Sequence, residues 1–284
     1  MEILSQLNKA CAYIEEHITD ELATDDVASV TIYSPFHFGR MFYYITGMPL
    51  SEYIRKRKMS LAAERLKLGE KVIDVAAMFG YDSADSFARA FKGQHGVNPS
   101  TARNSDIVVA IFPPLAFQIK IKGAEAMNWR IEKREAFAVF GLERVYRMDE
   151  QAKVPGFWDD IEKNGEGMKL LDDAGGREAS GALPLMGICG YRQTGQGTFP
   201  YMIGARTAPG CKTDGYTLAE VPESTWAVFR SKPIAVYGTE IPKLFERAFS
   251  EWLPSSKYAR TEAPDLEYYL EGDDGKYYEE VWIP

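Results

Sequence analysis

The sequence predicts an α+β protein, an N-terminal all-α double helix-turn-helix domain followed by a mixed-sheet α+β domain. Three observations predict it: an internal repeat in the first hundred residues, a block of positive charge over the same stretch of an acidic chain, and a change of apolar period after Pro113-Pro114. At 284 residues the chain is about twice a common domain size, which fits two domains. The longest apolar run, Ile107 to Phe117, is broken by its two prolines and is too short for a membrane span. The first twenty residues lack the basic and apolar regions of a secretory signal, so a cytoplasmic location is expected. Three cysteines (Cys11, Cys189, Cys211) and three histidines (His17, His37, His95), none at metal-ligand spacing, predict neither a disulfide framework nor a metal site.

The repeat pairs Asp26-Val27-Ala28, then Ser34, Phe38, Arg40, Phe42 and Gly47, with Asp74-Val75-Ala76, then Ser83, Phe87, Arg89, Phe91 and Gly96. Each copy reads as a short helix, a turn, and a second helix opened by Ser, with Pro35 at the first helical position of copy one. In Phe-x-Arg-x-Phe the two aromatic residues fall four apart on one buried side and the residues between them face outward. A helix from about Leu50 to Leu68 joins the copies. If it holds the second helices roughly 34 Å apart, both reach successive major grooves on one face of a duplex.

Net charge is −8, yet Arg40 to Arg103 carry 11 Lys+Arg against 6 Asp+Glu, while residues 1–39 carry one Lys against 7 acids. The run Arg55-Lys56-Arg57-Lys58 lies in the joining helix and is expected to form a basic stripe, which suits a polyanion.

Residues 8–103 resemble the DNA-binding domain of the AraC/XylS family of transcription regulators. The resemblance is carried by Tyr33-Ser34-Pro35-Phe36-His37-Phe38-Gly39-Arg40-Met41-Phe42, Tyr53-Ile54-Arg55-Lys56-Arg57, Gly80-Tyr81-Asp82-Ser83 through Phe87-Ala88-Arg89-Ala90-Phe91-Lys92, and Gly96-Val97-Asn98-Pro99. It implies base-edge contacts from Phe36, Gly39, Arg40 and Tyr43 and from Ala84, Asp85, Ala88, Arg89 and Lys92; Arg55 and Lys56 of the basic run complete the expected DNA-binding residues. Gly39, Ala84 and Ala88 have no group to bond a base, so readout rests on Arg40 and Arg89 with phosphate contacts and DNA shape. Ile32 stands where the family usually has Gly, so the first turn is expected to be built differently. His37 and His95 read as packing residues.

Past the prolines, Phe117, Ile119 and Ile121 alternate with polar residues as a strand would. Further strands are expected at 128–132, 136–146, 185–191, 199–205, 216–221, 224–230, 267–270 and 277–283. Helices are expected at 156–164 and at 241–252, the second opened by Pro242 and stopped by Pro254. This gives domains at 1–105 and 116–284 joined by a linker at 106–115. The second half resembles the gyrase-inhibitor-like effector-binding domain, through Arg130-Ile131-Glu132, Phe137-Ala138-Val139-Phe140-Gly141, Tyr201-Met202-Ile203-Gly204, Trp226-Ala227-Val228-Phe229-Arg230, Glu251-Trp252-Leu253-Pro254, Asp265-Leu266-Glu267 and Glu280-Val281-Trp282-Ile283-Pro284.

That half has no histidine, no Cys-His pair and no phosphate-binding glycine loop, so no catalytic residue and no cofactor are expected. Aromatic residues and carboxylates remain, and these suit a flat, cationic ligand. The resemblance places a carboxyl-terminal strand Glu in a ligand cavity, a position Glu280 occupies. Alternation groups Glu280 with Trp282, and the expected effector site is Glu280, Trp282, Trp226, Tyr191 and Trp158. The expected partners are double-stranded DNA, a small-molecule effector and RNA polymerase, with no membrane. Two other readings are a hydrolase using Glu280 or Glu267 as base, and a domain that binds a partner protein. An effector is expected to act through residues 105–115.

Overall fold

A computed structural model describes residues 2–104, 106–118, 126–176, 185–272 and 275–284. Its contacts divide the chain into two compact units, Met1–Pro35 with Thr46–Ile119, and Phe36–Ile45 with Lys120–Pro284. The second helix of the first repeat therefore belongs, by its contacts, to the second unit. The expected strand at Phe117 is not formed at its two described residues and otherwise falls outside the described ones.

The first unit contains α1 (Glu2–Glu16), α2 (Thr24–Ser29), α4 (Leu50–Lys67), α5 (Val72–Met78), α6 (Ala84–His95) and α7 (Pro99–Ala102). Small residues let the helices of the second repeat approach closely: Ala62, Ala63 and Ala76 pack with Met59, Leu66, Val75, Phe79, Phe87 and Phe91 in one buried cluster. Gly80, at φ 81°, makes the turn between α5 and α6, and Ser83 caps α6 by accepting from Ser86 N at 3.1 Å. The corresponding turn of the first repeat is a hydroxyl turn, with Thr31 Oγ1 bonded to Ala28 O at 2.7 Å and to Tyr33 N at 3.2 Å. This leaves Ile32 exposed. The segment expected to be a linker is fastened to α4: Phe112 N donates to Ser60 Oγ at 2.8 Å and Leu115 N to Tyr53 Oη at 3.0 Å.

In the second unit, Phe36–Ile45 of α3 (Pro35–Thr46) accompany an eight-stranded sheet. The strands are β1 (Asn128–Arg134), β2 (Phe137–Arg147), β3 (Met186–Cys189), β4 (Thr198–Arg206), β5 (Thr217–Val221), β6 (Ser224–Arg230), β7 (Asp265–Glu271) and β8 (Tyr277–Ile283), in the order β1-β6-β8-β7-β3-β4-β2-β5. The expected mixed sheet is corrected here, because every described pairing is antiparallel. The reason lies in one long ribbon. β1 runs into β2 and β5 into β6 through two-residue links, and the β1–β6 and β2–β5 ladders keep a single register, from Asn128↔Arg230 to Gly141↔Thr217. Both ends of the sheet share this ribbon, so the sheet curls. Gly141 and Gly204 stand opposite each other at the tightest approach, where an added Cβ on Gly141 would lie 2.2 Å from Ile203 O.

The two sheet faces differ. One, inside the curl, packs Val139, Met186, Ile188, Met202, Val228, Leu266, Tyr268, Trp226 and Trp282. The other carries the helices: α8 (Pro155–Lys163) and α9 (Glu166–Asp173) contribute Phe157, Ile161 and Leu170 to clusters with Phe140, Phe199, Tyr201 and Ile203. α10 (Ile241–Arg247) continues through a π-helical turn, Ala248–Trp252. Gly165, at φ 78°, separates α8 from α9, a helix beyond the one expected at 156–164.

Candidate functional site

The central strand pair places a polar cluster on the helix-bearing face. In β7 the alternation is Asp265, Glu267, Tyr269 on that face and Leu266, Tyr268, Leu270 on the other. Glu267 stands opposite Gly187 of β3, whose missing side chain makes room: an added Cβ would lie 2.4 Å from Tyr201 Oη and 2.7 Å from Glu267 Oε2. Into that space Tyr201 donates a 2.7 Å hydrogen bond to Glu267 Oε2, Tyr269 donates another at 3.3 Å, and Trp158 Nε1 donates to Tyr201 Oη at 2.8 Å. The Trp158 ring lies 4.7 Å from that of Tyr269.

A cation already occupies the cluster. Arg40 of α3 is 3% exposed, with Nη2 bonded to Glu267 Oε1 at 3.2 Å, Nη1 to Cys189 Sγ at 3.3 Å, and Nε 2.9 Å from Asp265 Oδ2. Its guanidinium lies 4.2 Å from the centre of the Phe245 ring and 5.2 Å from that of Tyr44. Asp265 also pairs with Arg260. The match is incomplete: Arg40 Nε, Asp265 Oδ2, and Arg260 Nε and Nη1 are buried without hydrogen bonds. Burial pushes the Glu267 carboxyl up, against the pull of Arg40, and pushes the Tyr201 and Tyr269 hydroxyls well up. Burial works against the Arg40 charge, but the carboxylates of Asp265 and Glu267 hold it cationic.

Phe36 and Gly39 complete the contact. The Phe36 ring lies 5.6 Å from that of Phe199 and fits over Gly190, where an added Cβ would come within 2.2 Å of it. Gly39 is a notch for Met148, whose Cε would lie 2.6 Å from an added Cβ. Of the base-edge positions expected on α3, Phe36, Gly39 and Arg40 thus sit against the sheet domain, Arg40 and Gly39 buried and Phe36 half-buried, while Tyr43 is half-buried beside Tyr44. Those on α6 behave otherwise: Asp85, Arg89 and Lys92 are exposed, Ala84 and Ala88 half-buried, and Phe87 and Phe91 fully buried.

The basic stripe on α4 needs correction. Successive helical residues point about 100° apart, so the four charges cannot share a face. Arg55 is exposed and Lys56 pairs with Glu52 at 2.9 Å, but Arg57 is 4% exposed and bound through two 2.7 Å bonds to Glu15.

Of the five expected effector residues four lie together at the inner face and Trp158 does not: Trp226 and Trp282 belong to one cluster there, Tyr191 packs against it, and Glu280 bonds Trp282. Glu280, 2% exposed, lies on the inner face, held by Arg130 at 2.8 and 3.0 Å and by Trp282 Nε1 at 3.0 Å. Trp226 and Trp282 adjoin it, rings 6.1 Å apart, but Arg130 and Arg134 already stack on Trp282. Tyr191 bonds Glu143. Trp158 alone of the five stands at the Glu267 cluster. Glu267 is among the strand carboxylates that suit a cationic ligand, but Asp265, Tyr201, Tyr269, Tyr44, Phe245 and Gly187 are not among the expected site residues. One signal was available: three polar residues at alternate positions of β7, on a face that helices cover.

Residues 127–284 match the GyrI-like small molecule binding domain family, and residues 27–105 match a helix-turn-helix domain. The HTH-type transcriptional activator AarP of Providencia stuartii is 41% identical over 103 residues, 36% of this chain and 76% of AarP. The right origin-binding protein of Escherichia coli K12 is 37% identical over 106 residues, 36% of this chain and 37% of that protein, so this alignment spans little more than a third of that relative. Among solved structures, SAV2435 bound to tetraphenylphosphonium is 21% identical with a TM-score of 0.44, over 56% of this chain and 93% of that one. The chain belongs to the GyrI-like small-molecule-binding family, with an AraC-type helix-turn-helix domain before it. Among the described residues no helix is long and apolar enough to cross a membrane, and no group of three or more His, Cys, Asp or Glu could hold a metal.

Proposed function

We propose that the protein is a transcription regulator that binds duplex DNA through the helix-turn-helix copies and takes a small organic cation at Glu267, on the helix-bearing face of the sheet. The observation that carries the ligand reading is the buried carboxylate ringed by Tyr201, Tyr269 and Trp158, with a delocalised cation already stacked beside it on Phe245. A buried carboxylate answered by aromatic faces favours a charge-delocalised cation over a compact one, because such a cation loses less hydration on entry. The proposed domains are 1–105 and 116–284, joined by 106–115. RNA polymerase at a bacterial promoter is the proposed partner and the bacterial cytoplasm the proposed location; AarP, a transcriptional activator of a bacterium, supports both.

The test is a titration of the full chain with tetraphenylphosphonium and with a neutral tetraphenyl analogue of the same shape. Glu267→Gln is expected to weaken the cation at least tenfold and leave the neutral compound unchanged, while Glu280→Gln leaves their ratio unchanged. Loss of cation preference in Glu280→Gln alone would move the site to the inner face.

A further inference from the structure

Arg40 holds two incompatible positions. The repeat puts it on the outward side of α3, where the second copy exposes Arg89, and within the second unit that same guanidinium is buried against Asp265, Glu267 and Cys189. A side chain that is 3% exposed reaches no base edge. We infer that α3 is an internal competitor of the effector: Arg40 occupies the cation site as a tethered pseudo-ligand, and a free cation that takes Glu267 releases the helix to DNA. The inference rests on the cation site proposed above.

Shape supports it as well as charge. Gly39 contributes nothing to base recognition, but its missing side chain admits Met148, and the Phe36 ring lies over Gly190. The docked helix therefore uses its DNA-reading positions 36, 39 and 40 as a surface complementary to the sheet domain. The docking is also poorly satisfied. Arg40 Nε faces Asp265 Oδ2 at 2.9 Å without hydrogen-bond geometry, and two nitrogens of Arg260 beside them are unbonded. A permanent structural ion pair leaves few such groups, whereas a displaceable one needs an affinity low enough for a free ligand to overcome. Tethering compensates, since the helix competes at the effective concentration of a covalently attached group.

The device fixes the direction of control. Docked α3 excludes both the cation and DNA, and the undocked state accepts both, so cation and DNA help each other. Linkage makes the effect reciprocal: the factor by which the cation raises DNA affinity equals the factor by which DNA raises cation affinity. The coupling passes through α3 and needs no movement of residues 105–115.

The experiment measures tetraphenylphosphonium affinity of the full chain, of Arg40→Ala and of Arg40→Gln, with DNA affinity followed on a duplex selected from a random library with Glu267→Gln. With the competitor removed, both Arg40 variants are expected to bind the cation about tenfold more tightly. Arg40→Gln, which retains side-chain hydrogen bonds, guards against misfolding of the alanine variant. Saturating cation is expected to raise DNA affinity of the unsubstituted chain by the same factor that DNA raises cation affinity. Glu267→Gln should bind DNA at the raised level without cation. If Glu267→Gln weakens the cation but neither Arg40 variant binds it more tightly, the competitor is overturned and the cation site stands. If Glu267→Gln leaves cation binding intact, the site itself is wrong. Cation and DNA affinities that are independent of each other, or a selection that recovers no duplex, would also overturn the competitor.

Discussion

The two helix-turn-helix copies share one pattern of residues and end in different surroundings. In α6 the inner phenylalanines Phe87 and Phe91 are fully buried and Arg89 between them is exposed. In α3 the inner phenylalanines Phe38 and Phe42 are equally buried, yet Arg40 between them is buried too, against the carboxylates of β7. The periodic pattern specifies which side of a helix faces its own core. It leaves the other side open, and there the two copies are put to different uses: α6 stays available to a polyanion, and α3 meets an acidic cluster more than 200 residues further along the chain.

The largest expected effect tests whether the inner faces are equivalent. Phe38→Ala and Phe87→Ala each empty a fully buried aromatic site and should each cost about 3–5 kcal/mol, read as a shift of the urea transition in the full chain. A much smaller cost for Phe38→Ala would mean that the first copy is not built on the same inner packing as the second.

The outer faces should separate the copies. Arg89→Ala is expected to cost about 1–3 kcal/mol of DNA affinity whether or not a cation is present, since Arg89 is exposed in either case. Arg40→Ala should show a comparable loss only against the cation-saturated parent, because the parent without cation keeps Arg40 in the sheet domain. Binding isotherms with and without tetraphenylphosphonium distinguish the two patterns. Equal losses in both conditions for Arg40→Ala would make α3 as available as α6.

The α4 charges give a smaller contrast of the same kind. Arg57→Ala removes two hydrogen bonds to Glu15 and should lower stability by about 1–2 kcal/mol, Glu15 being partly solvated. Arg55→Ala should leave stability unchanged and reduce the salt slope of DNA binding by about one.

How much was legible follows from the range of each signal. All eight described strands overlap segments expected from the sequence, and the second repeat is legible in its Ala, Phe and Gly positions, because these are local requirements of a strand and of close helix packing. Strand direction and the curl were not legible. They depend on the β1–β2 segment pairing with β5–β6 in one register, a relation between residues about a hundred apart. Glu280 is expected from the resemblance, and alternation sets it beside Trp282, where the structure has it. What alternation cannot say is which carboxylate is answered by a guanidinium fixed in its own sheet, as Glu280 is by Arg130, and which by a helix from another part of the chain, as Glu267 is by Arg40. No local pattern links Arg40 to Glu267.

The smallest expected effect is a pH dependence that sets the Glu267 cluster apart from the inner-face carboxylate. Burial raises the Glu267 carboxyl above its ordinary value. Below the ordinary value the group is protonated in the folded and unfolded chain alike and contributes no dependence. As pH rises from there through the raised folded value, the unfolded chain loses its proton first, so Glu267 makes stability fall over that window. Binding of tetraphenylphosphonium, whose charge does not titrate, should move the opposite way, strengthening as the carboxylate becomes charged. Burial keeps the Tyr201, Tyr269 and Tyr44 hydroxyls and the Cys189 thiol neutral and pushes His37 well below its usual value, and Arg40 stays cationic. The expected change is a gain in affinity as pH rises through the raised value, measured by isothermal titration in constant salt. Glu267→Gln should flatten it and Glu280→Gln should leave it intact. A profile unchanged by Glu267→Gln would place the titrating group outside the β7 cluster.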